Sequence, residues 1–482
     1  MTLLPGSRQT RAAALPRTGR PAEDLAGELA ALRTAWRVPG VAVTVVHGDD
    51  AAVLVDGTRD PATGAPLTAR TLFPLGSLTK SLIAALLARL VEQGLTGWET
   101  GQLTDVLPHG APRAGYTLTQ LLTHSSGLPS YDMLLAGCAD TAPGEAARGR
   151  LPHLVTVRPP GGDRFSYSDL AYVLACHLAE EATGRPWHRL TGDLLADLGV
   201  RDPGSAGDAA HGYEPDGNGG FTDAGTPPLS GLSTAISGIR ASAEDMVALL
   251  RFHLSGHGAR GRLLGAPVLE HLRTPRMPAP TTSANHPACV AADGYGYGWL
   301  VGRYHGERAL VHSSSVGALR GMTVVLPGRD LAVNVFCNTG VRHSPGRAHC
   351  CFRCAVAFCL IDVLSGRETD TVRRLPVGEP ERMAGVAPGP AADLDSLATL
   401  PGTYHHPGFG DLRIVPDASG AGAVFRYGPV AGPVRRTARG ALFTTCPADP
   451  GPVALTPLDP DRVAVRMERS VPAFEFTRTA AS

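Results

Sequence analysis

The sequence predicts an α/β sandwich, an antiparallel sheet flanked by helices, followed by a small antiparallel β-barrel. Three observations carry this. A helix and a β-branched hairpin open the ordered chain, ahead of a polar middle rich in Gly and Pro. Strand patterns return late, at Tyr297 to Val301, Ala309 to His312, Met322 to Leu326 and Leu331 to Phe336. Beyond a Pro-rich stretch, short alternating runs fill residues 400 to 478. Helices segregated from late strands, instead of alternating with them, argue against a doubly wound parallel sheet.

Taken in order, residues 1–22 carry Arg8, Arg11, Arg17 and Arg20 but no apolar core longer than Ala12 to Leu15, which reads as a flexible leader and not a signal peptide. Leu25, Leu29, Leu32 and Trp36 recur at helical spacing until Pro39-Gly40 stops them. Val41 to Val46 and Ala51 to Val55 flank the turn-forming His47-Gly-Asp-Asp50 and read as a hairpin. Leu82, Ile83, Leu86, Leu87 and Leu90 make a helix apolar nearly all round, beginning at Ser77 and buried between layers. The middle, residues 128 to 228, shows one clear helix, Asp169 to Thr183, and a further helical pattern runs from Ala243 to Leu254. Residues 23–365 thus form the first domain, and residues 366–394, with Pro376, Pro380, Pro388 and Pro390, have the composition of a linker. The runs Leu412 to Ile414, Val424 to Tyr427, Leu442 to Thr444, Val463 to Arg466 and Phe474 to Phe476 are the strands of a barrel over residues 395–482.

Composition narrows the function. The 482 residues carry 44 Lys plus Arg against 44 Asp plus Glu, so no net field draws the chain to nucleic acid or anionic lipid. The longest apolar runs, Leu82 to Ala88 and Cys354 to Ile361, fall well short of the roughly 18 residues of a membrane span. Nine Cys without framework spacing point to reduced thiols. A cytoplasmic protein with no nucleic-acid or membrane partner is expected. The cluster His349-Cys-Cys-Phe-Arg-Cys354 has no second Cys-x-x-Cys pair to complete a zinc site, and the segment reads as a helix packed on the sheet, so neither metal nor cofactor is expected.

The chemistry centres on Phe73-Pro-Leu-Gly-Ser-Leu-Thr-Lys80. On a helix Ser77 and Lys80 share one face, which sets an ammonium beside a hydroxyl, and the helix start offers an unpaired N–H to an oxyanion. Ser at a helix start with Lys one turn later is also ordinary helix chemistry. Two further elements add to it: a loop tyrosine in Phe165-Ser-Tyr167-Ser-Asp169, and a strand histidine in Leu310-Val-His312-Ser-Ser-Ser315.

With these motifs the sequence resembles the serine β-lactamase and penicillin-binding-protein-like acyl enzymes, in particular the class C β-lactamase-related branch with its DD-peptidases, D-aminopeptidases and esterases. The likeness spans residues 23 to 365 and includes Val38-Pro-Gly-Val-Ala42, Leu121-Leu-Thr-His-Ser-Ser-Gly-Leu-Pro129, Thr183-Gly-Arg-Pro186 and Tyr295-Gly-Tyr-Gly-Trp299. It implies a β-lactamase/transpeptidase-like sandwich with an all-helical subdomain. It also implies that Ser77 is acylated, that Lys80 helps take its proton, that Tyr167 shuttles that proton to the leaving group, and that His312 supports Tyr167 electrostatically. The N–H groups of Ser77 and Ser315 would form the oxyanion hole. Two positions depart from the family pattern in the substrate cleft: Asp169 replaces an Asn that donates to substrate, and Ser314 replaces a Gly that lets substrate approach. An ionised Asp169 only accepts and would pair with Lys80.

Leu400-Pro-Gly-Thr-Tyr-His-His-Pro-Gly-Phe-Gly410 resembles the opening of the lipocalin-like barrel found in some family members, among them penicillin-binding-protein-type thioesterases. Three functions follow from the resemblance: a serine hydrolase of peptide-like amides or esters, D-residue-containing ones included; a thioesterase that takes a nonribosomal peptide from a carrier protein and macrocyclises it; and a non-catalytic binding homologue. The partner is a small-molecule or peptide substrate, with the carrier protein added in the second case.

Overall fold

The computed structural model describes residues 7–10, 22–99, 116–130, 145–155, 164–200, 208–215, 220–225, 234–279, 290–339 and 351–367, and in the C-terminal part 397, 400–420, 422–428, 430–437, 440–446, 449–466 and 473–479. Most of the expected linker lies outside the described residues.

The chain opens with β1 (Ser7–Thr10), α1 (Ala22–Ala35), β2 (Gly40–His47), β3 (Asp50–Asp60) and β4 (Ala65–Pro66). The expected hairpin is β2 on β3, with Val43 opposite Leu54. Every residue of β2 is buried. The pleat sends Val41, Val43 and Val45 to one core and Ala42 and Val46 to the other, which makes β2 a central strand covered on both faces. The leader needs correction: Ser7–Thr10 pairs along β3 as an edge strand, from Ser7 opposite Gly57 to Thr10 opposite Leu54. Its polar, charged sequence carries no strand signal, because an edge pairs through backbone groups.

A helical region follows: α2 (Thr79–Glu92), α3 (Leu118–Leu122), α4 (Glu145–Leu154), α5 (Asp169–Thr183), α6 (Trp187–Leu198), α7 (Ala243–Ser255) and α8 (Ala266–Arg273). Sequence periodicity shows one clear helix in the middle segment; the structure adds α4 and α6. Pro152 inside α4 masks the first. In α6 the buried set Trp187, Leu190, Thr191, Leu194 and Leu198 is helical, but it lies among polar residues.

The sheet is completed by β5 (Ala291–Tyr295), β6 (Leu300–Tyr304), β7 (Glu307–Val316), β8 (Leu319–Leu326) and β9 (Leu331–Cys337), before α9 (Phe352–Leu364). Its nine strands run β1-β3-β2-β9-β8-β7-β6-β5, with β4 on β3. The sandwich is therefore closed by β9 on β2, Cys337 opposite Val41, with the helical region inserted between the two halves of the sheet. Helices α1 and α9 cover the Val41 face, and α7 the other, where Thr44 Oγ1 donates to Ala243 O at 2.7 Å. The strand expected from Tyr297 begins at Leu300, because Gly298 takes a φ of +77° and Tyr297 N–H is bonded to Leu272 O at the end of α8. No helix among the described residues is long and apolar enough to cross a membrane.

The C-terminal part is a closed barrel of eight antiparallel strands: β10 (Gly402–His406), β11 (Gly410–Pro416), β12 (Ala423–Tyr427), β13 (Val430–Arg436), β14 (Leu442–Cys446), β15 (Asp449–Asp459), β16 (Arg462–Arg466) and β17 (Phe474–Arg478). Alternation is strict where the sequence shows it: Leu412 and Ile414 inward around Arg413, Phe474 and Phe476 inward around Glu475. Strand β15 is hidden in sequence by Pro450, Pro452 and Pro457. The turn from β10 to β11 rests on α4, with Gly408 against His153 and Leu154.

Candidate active site

Phe73-Pro74 pairs with Arg240-Ala241, and Leu75 N–H donates to Ile239 O at 2.8 Å, so the chain reaches Gly76 already anchored. Gly76 has a φ of +52°, and a Cβ there would stand 2.5 Å from Ser314 Oγ, so conformation and space both require glycine. Gly76–Leu78 is one 3-10 turn that runs into α2. Ser77 sits half-buried in that turn, and the α-helix proper begins at Thr79.

Lys80, the next turn, is fully buried. Its Nζ donates to Ser77 Oγ at 3.2 Å and stands 2.5 Å from Asp169 Oδ1. The Tyr167 and Tyr172 ring centroids are 4.9 Å and 5.5 Å away. Burying an ammonium is costly unless charge and π-faces compensate it. Among the described residues Asp169 Oδ1 has no well-aligned hydrogen bond, and its contact with Lys80 is an ion pair. The carboxylate opens α5, where the helix N-terminus favours negative charge.

The Tyr167 loop is held by His124, which lies within the Leu121–Pro129 motif and carries no chemical signal of its own in sequence. His124 is completely buried, with a φ of +58°. Its carbonyl accepts from Ser166 N–H at 2.8 Å and its Nδ1 from Ser168 N–H at 3.0 Å, so it grips the loop on both sides of Tyr167. The rings of His124 and Tyr167 are 4.2 Å apart. Burial, followed by the charge on Lys80, holds this imidazole neutral, far below the usual histidine range. Its proton therefore sits on Nε2, which has no hydrogen-bond partner among the described residues, and the imidazole ring lies among those of Tyr167, Tyr172, Tyr295 and Phe165.

On the other side runs β7. His312 Nδ1 donates to Ser313 O at 2.8 Å, and its Nε2 faces Tyr295 Oη at 3.4 Å. Burial, with the Lys80 charge second, pushes its pKa down to about 4. At neutral pH His312 is thus an uncharged acceptor beside Tyr295 and adds no positive charge to the resting site. Ser314 is buried, its side chain lodged between Gly76 and Gly321, while Ser315 is exposed. The loop Tyr295-Gly-Tyr-Gly-Trp299 closes over α2: a Cβ on Gly298 would stand 2.7 Å from Ser81 Cα and 2.8 Å from Lys80 O. Arg353 of α9 was not singled out in sequence. It is buried, and its Nη1 donates to the Ser314 carbonyl and, at 3.3 Å, to Ser315 Oγ.

Ser77, Lys80, Tyr167 and Asp169 thus meet around one ammonium, while His312 and Ser314 flank them from β7. Residues 26–349 match the family model described as Beta-lactamase. The chain belongs to the beta-lactamase family. Within it, the chain is 25% identical over 436 residues to an unguisins hydrolase of Aspergillus violaceofuscus, covering 80% of this chain and 75% of that one. It is 27% identical over 331 residues to penicillin-binding protein 4 of Amycolatopsis lactamdurans, covering 65% and 84%. The octameric penicillin-binding protein homologue of Pyrococcus abyssi shares the fold, with a TM-score of 0.58 at 20% identity, covering 95% of this chain and all of that one. Among the described residues no group of three or more His, Cys, Asp or Glu is arranged to hold a metal. Cys351 and Cys354 are not joined in a disulfide, and Cys351 Sγ donates to Cys354 Sγ at 3.2 Å.

Proposed function

We propose that this beta-lactamase-family protein is a cytoplasmic serine hydrolase that opens amide or ester bonds of peptide-like substrates, D-residue-containing ones included, through an acyl-Ser77 intermediate. The observation that carries the proposal is the buried Lys80, bonded to Ser77 Oγ and paired with Asp169. Catalysis by Lys80 needs its free amine, and the Asp169 carboxylate 2.5 Å away is the group placed to take the displaced proton. The free amine can then take the Ser77 proton as Oγ adds to the substrate carbonyl. The oxyanion is held by the N–H groups of Ser77 and Ser315. On collapse the C–N or C–O bond breaks, and the leaving group receives a proton from Tyr167, which is reprotonated through Lys80. Water enters by the same steps in reverse and releases the acid.

A second reading, a thioesterase that receives its acyl group from a carrier protein and passes it to an internal amine, is favoured by the closed barrel behind the sandwich. The two share the acyl-enzyme and differ in the acceptor. Intact mass after treatment with a fluorophosphonate tests both. One adduct on Ser77, lost in Ser77→Ala, is expected. A folded wild type that takes none is a binding homologue.

A further inference from the structure

The oxyanion site proposed above has one half on β7, and a buried cation stands directly behind that half. Ser315 N–H and the Ser314 carbonyl belong to one planar peptide group, and no cis peptide occurs among the described residues, so the two point in opposite directions. A Ser315 N–H turned to the substrate therefore turns the Ser314 oxygen into the protein. There Arg353 Nη1 donates to it, and the same nitrogen reaches Ser315 Oγ at 3.3 Å. The guanidinium thus holds the peptide through its carbonyl and through the side chain of the residue that follows.

Arg353 is 4% exposed, on a helix whose inner residues pack against the sheet. Burial opposes its charge, yet its pKa is not lowered below the ordinary arginine range, and a guanidinium stays protonated throughout the physiological pH range, so the group is a cation. A cationic donor on a carbonyl draws electron density to the oxygen and leaves the N–H of the same peptide more positive; hydrogen bonds in series strengthen one another in this way. We infer that Arg353 is a positioning residue for acyl transfer, which orients and polarises the Ser314–Ser315 peptide so that Ser315 N–H is a stronger oxyanion donor. This inference rests on the acyl-Ser77 reading and adds a residue to it from outside the cleft.

The test compares wild type with Arg353→Met, which keeps bulk and loses every donor, and Arg353→Lys, which keeps the charge but not the fork. Each is titrated with a fluorophosphonate to count competent Ser77 sites, assayed with a p-nitrophenyl ester, and examined as the acyl-enzyme by isotope-edited infrared spectroscopy. In Arg353→Met, kcat per labelled site is expected to fall by about 10-fold or more, less than the roughly 10²–10³ that loss of a whole oxyanion donor costs. KM should stay within about twofold, because the interaction strengthens in the transition state. The acyl carbonyl band should move to higher wavenumber, with Arg353→Lys in between. A residue that only packs α9 onto the sheet would lower the labelled fraction or the melting temperature. The band and kcat per site would then be unchanged, and that result overturns the inference. Should Arg353→Met not fold, the Arg353→Lys band and kcat decide in the same way. Absence of any Ser77 adduct in wild type would instead remove the acyl-serine reading itself, before any variant is compared.

Discussion

The sandwich and the barrel bury their polar groups differently. Around Ser77 the sandwich encloses Lys80, Asp169, His124, His312 and Arg353, each under 9% exposed. Among the described residues of the barrel, Thr444 is the single buried residue outside the apolar and aromatic set. The barrel's buried tyrosines have hydroxyls satisfied locally, Tyr404 donating to Leu400 O and Tyr427 to Phe409 O. Buried charge does not by itself mark a site, for the buried Arg33–Asp56 pair ties α1 to β3 and Arg33 also donates to Val38 O at 2.9 Å. What separates the centre from that pair is convergence: several ionisable groups share one ammonium and one hydroxyl. A group of that kind costs stability and is explained by chemistry, whereas the barrel is explained by packing alone.

Ranked by effect on turnover, four experiments can break or sharpen this contrast. Lys80→Ala and Tyr167→Phe should each lower turnover of an activated ester by about 10²-fold or more. They should part in stability: Lys80→Ala strands the buried Asp169 carboxylate and should cost about 3–5 kcal/mol in denaturant unfolding, while Tyr167→Phe should be nearly neutral. If Tyr167→Phe keeps full rate, the shuttle assigned to Tyr167 is wrong.

Asp169→Asn comes next. The carboxylate should disfavour substrates with a nearby negative charge, so the variant should be acylated faster by carboxylate-bearing β-lactams and turn over other esters more slowly. Paired substrates differing only in that charge make the comparison. Equal discrimination by wild type and variant would show that Asp169 does not face the substrate.

The third experiment reads stability against pH. Burial pushes His312 down to about 4 and His253, where Arg273 adds to the effect, to about 3. Both values lie below the roughly 6.5 of an unfolded histidine. Between these limits the unfolded chain binds more protons, so stability is complete above about pH 6.5 and is lost as pH falls toward 4 and then 3. Melting temperature should drop over that window, and His312→Gln should flatten the slope. An unchanged slope in that variant would mean that His312 is protonated in the fold.

The smallest effect on chemistry belongs to the barrel. Phe425 is completely buried there, and Phe425→Ala should cost about 3–5 kcal/mol of stability. Turnover per folded molecule should hold. A fall in kcat at constant labelled fraction would mean that the barrel reaches the site and that the contrast drawn above is incomplete.

From sequence alone one could read whatever repeats at short range. The period of Leu25, Leu29 and Leu32, the alternation around Arg413 and Glu475, and the Ser77–Lys80 spacing each lie within one element, where neighbours in sequence are neighbours in space. The motifs at Tyr167 and His312 were legible as residue types, but their roles came from resemblance. Tertiary structure decided what those side chains meet. Asp169 reaches Lys80, His124 grips the Tyr167 loop across 44 positions, and Arg353 stands behind Ser314 across 39. It also decided that His312 is neutral and that Ser314 points into the protein, since burial and strand facing are properties of the packed sheet. No local pattern encodes such partners, because a buried polar group takes its partner from whichever distant element the packing brings beside it.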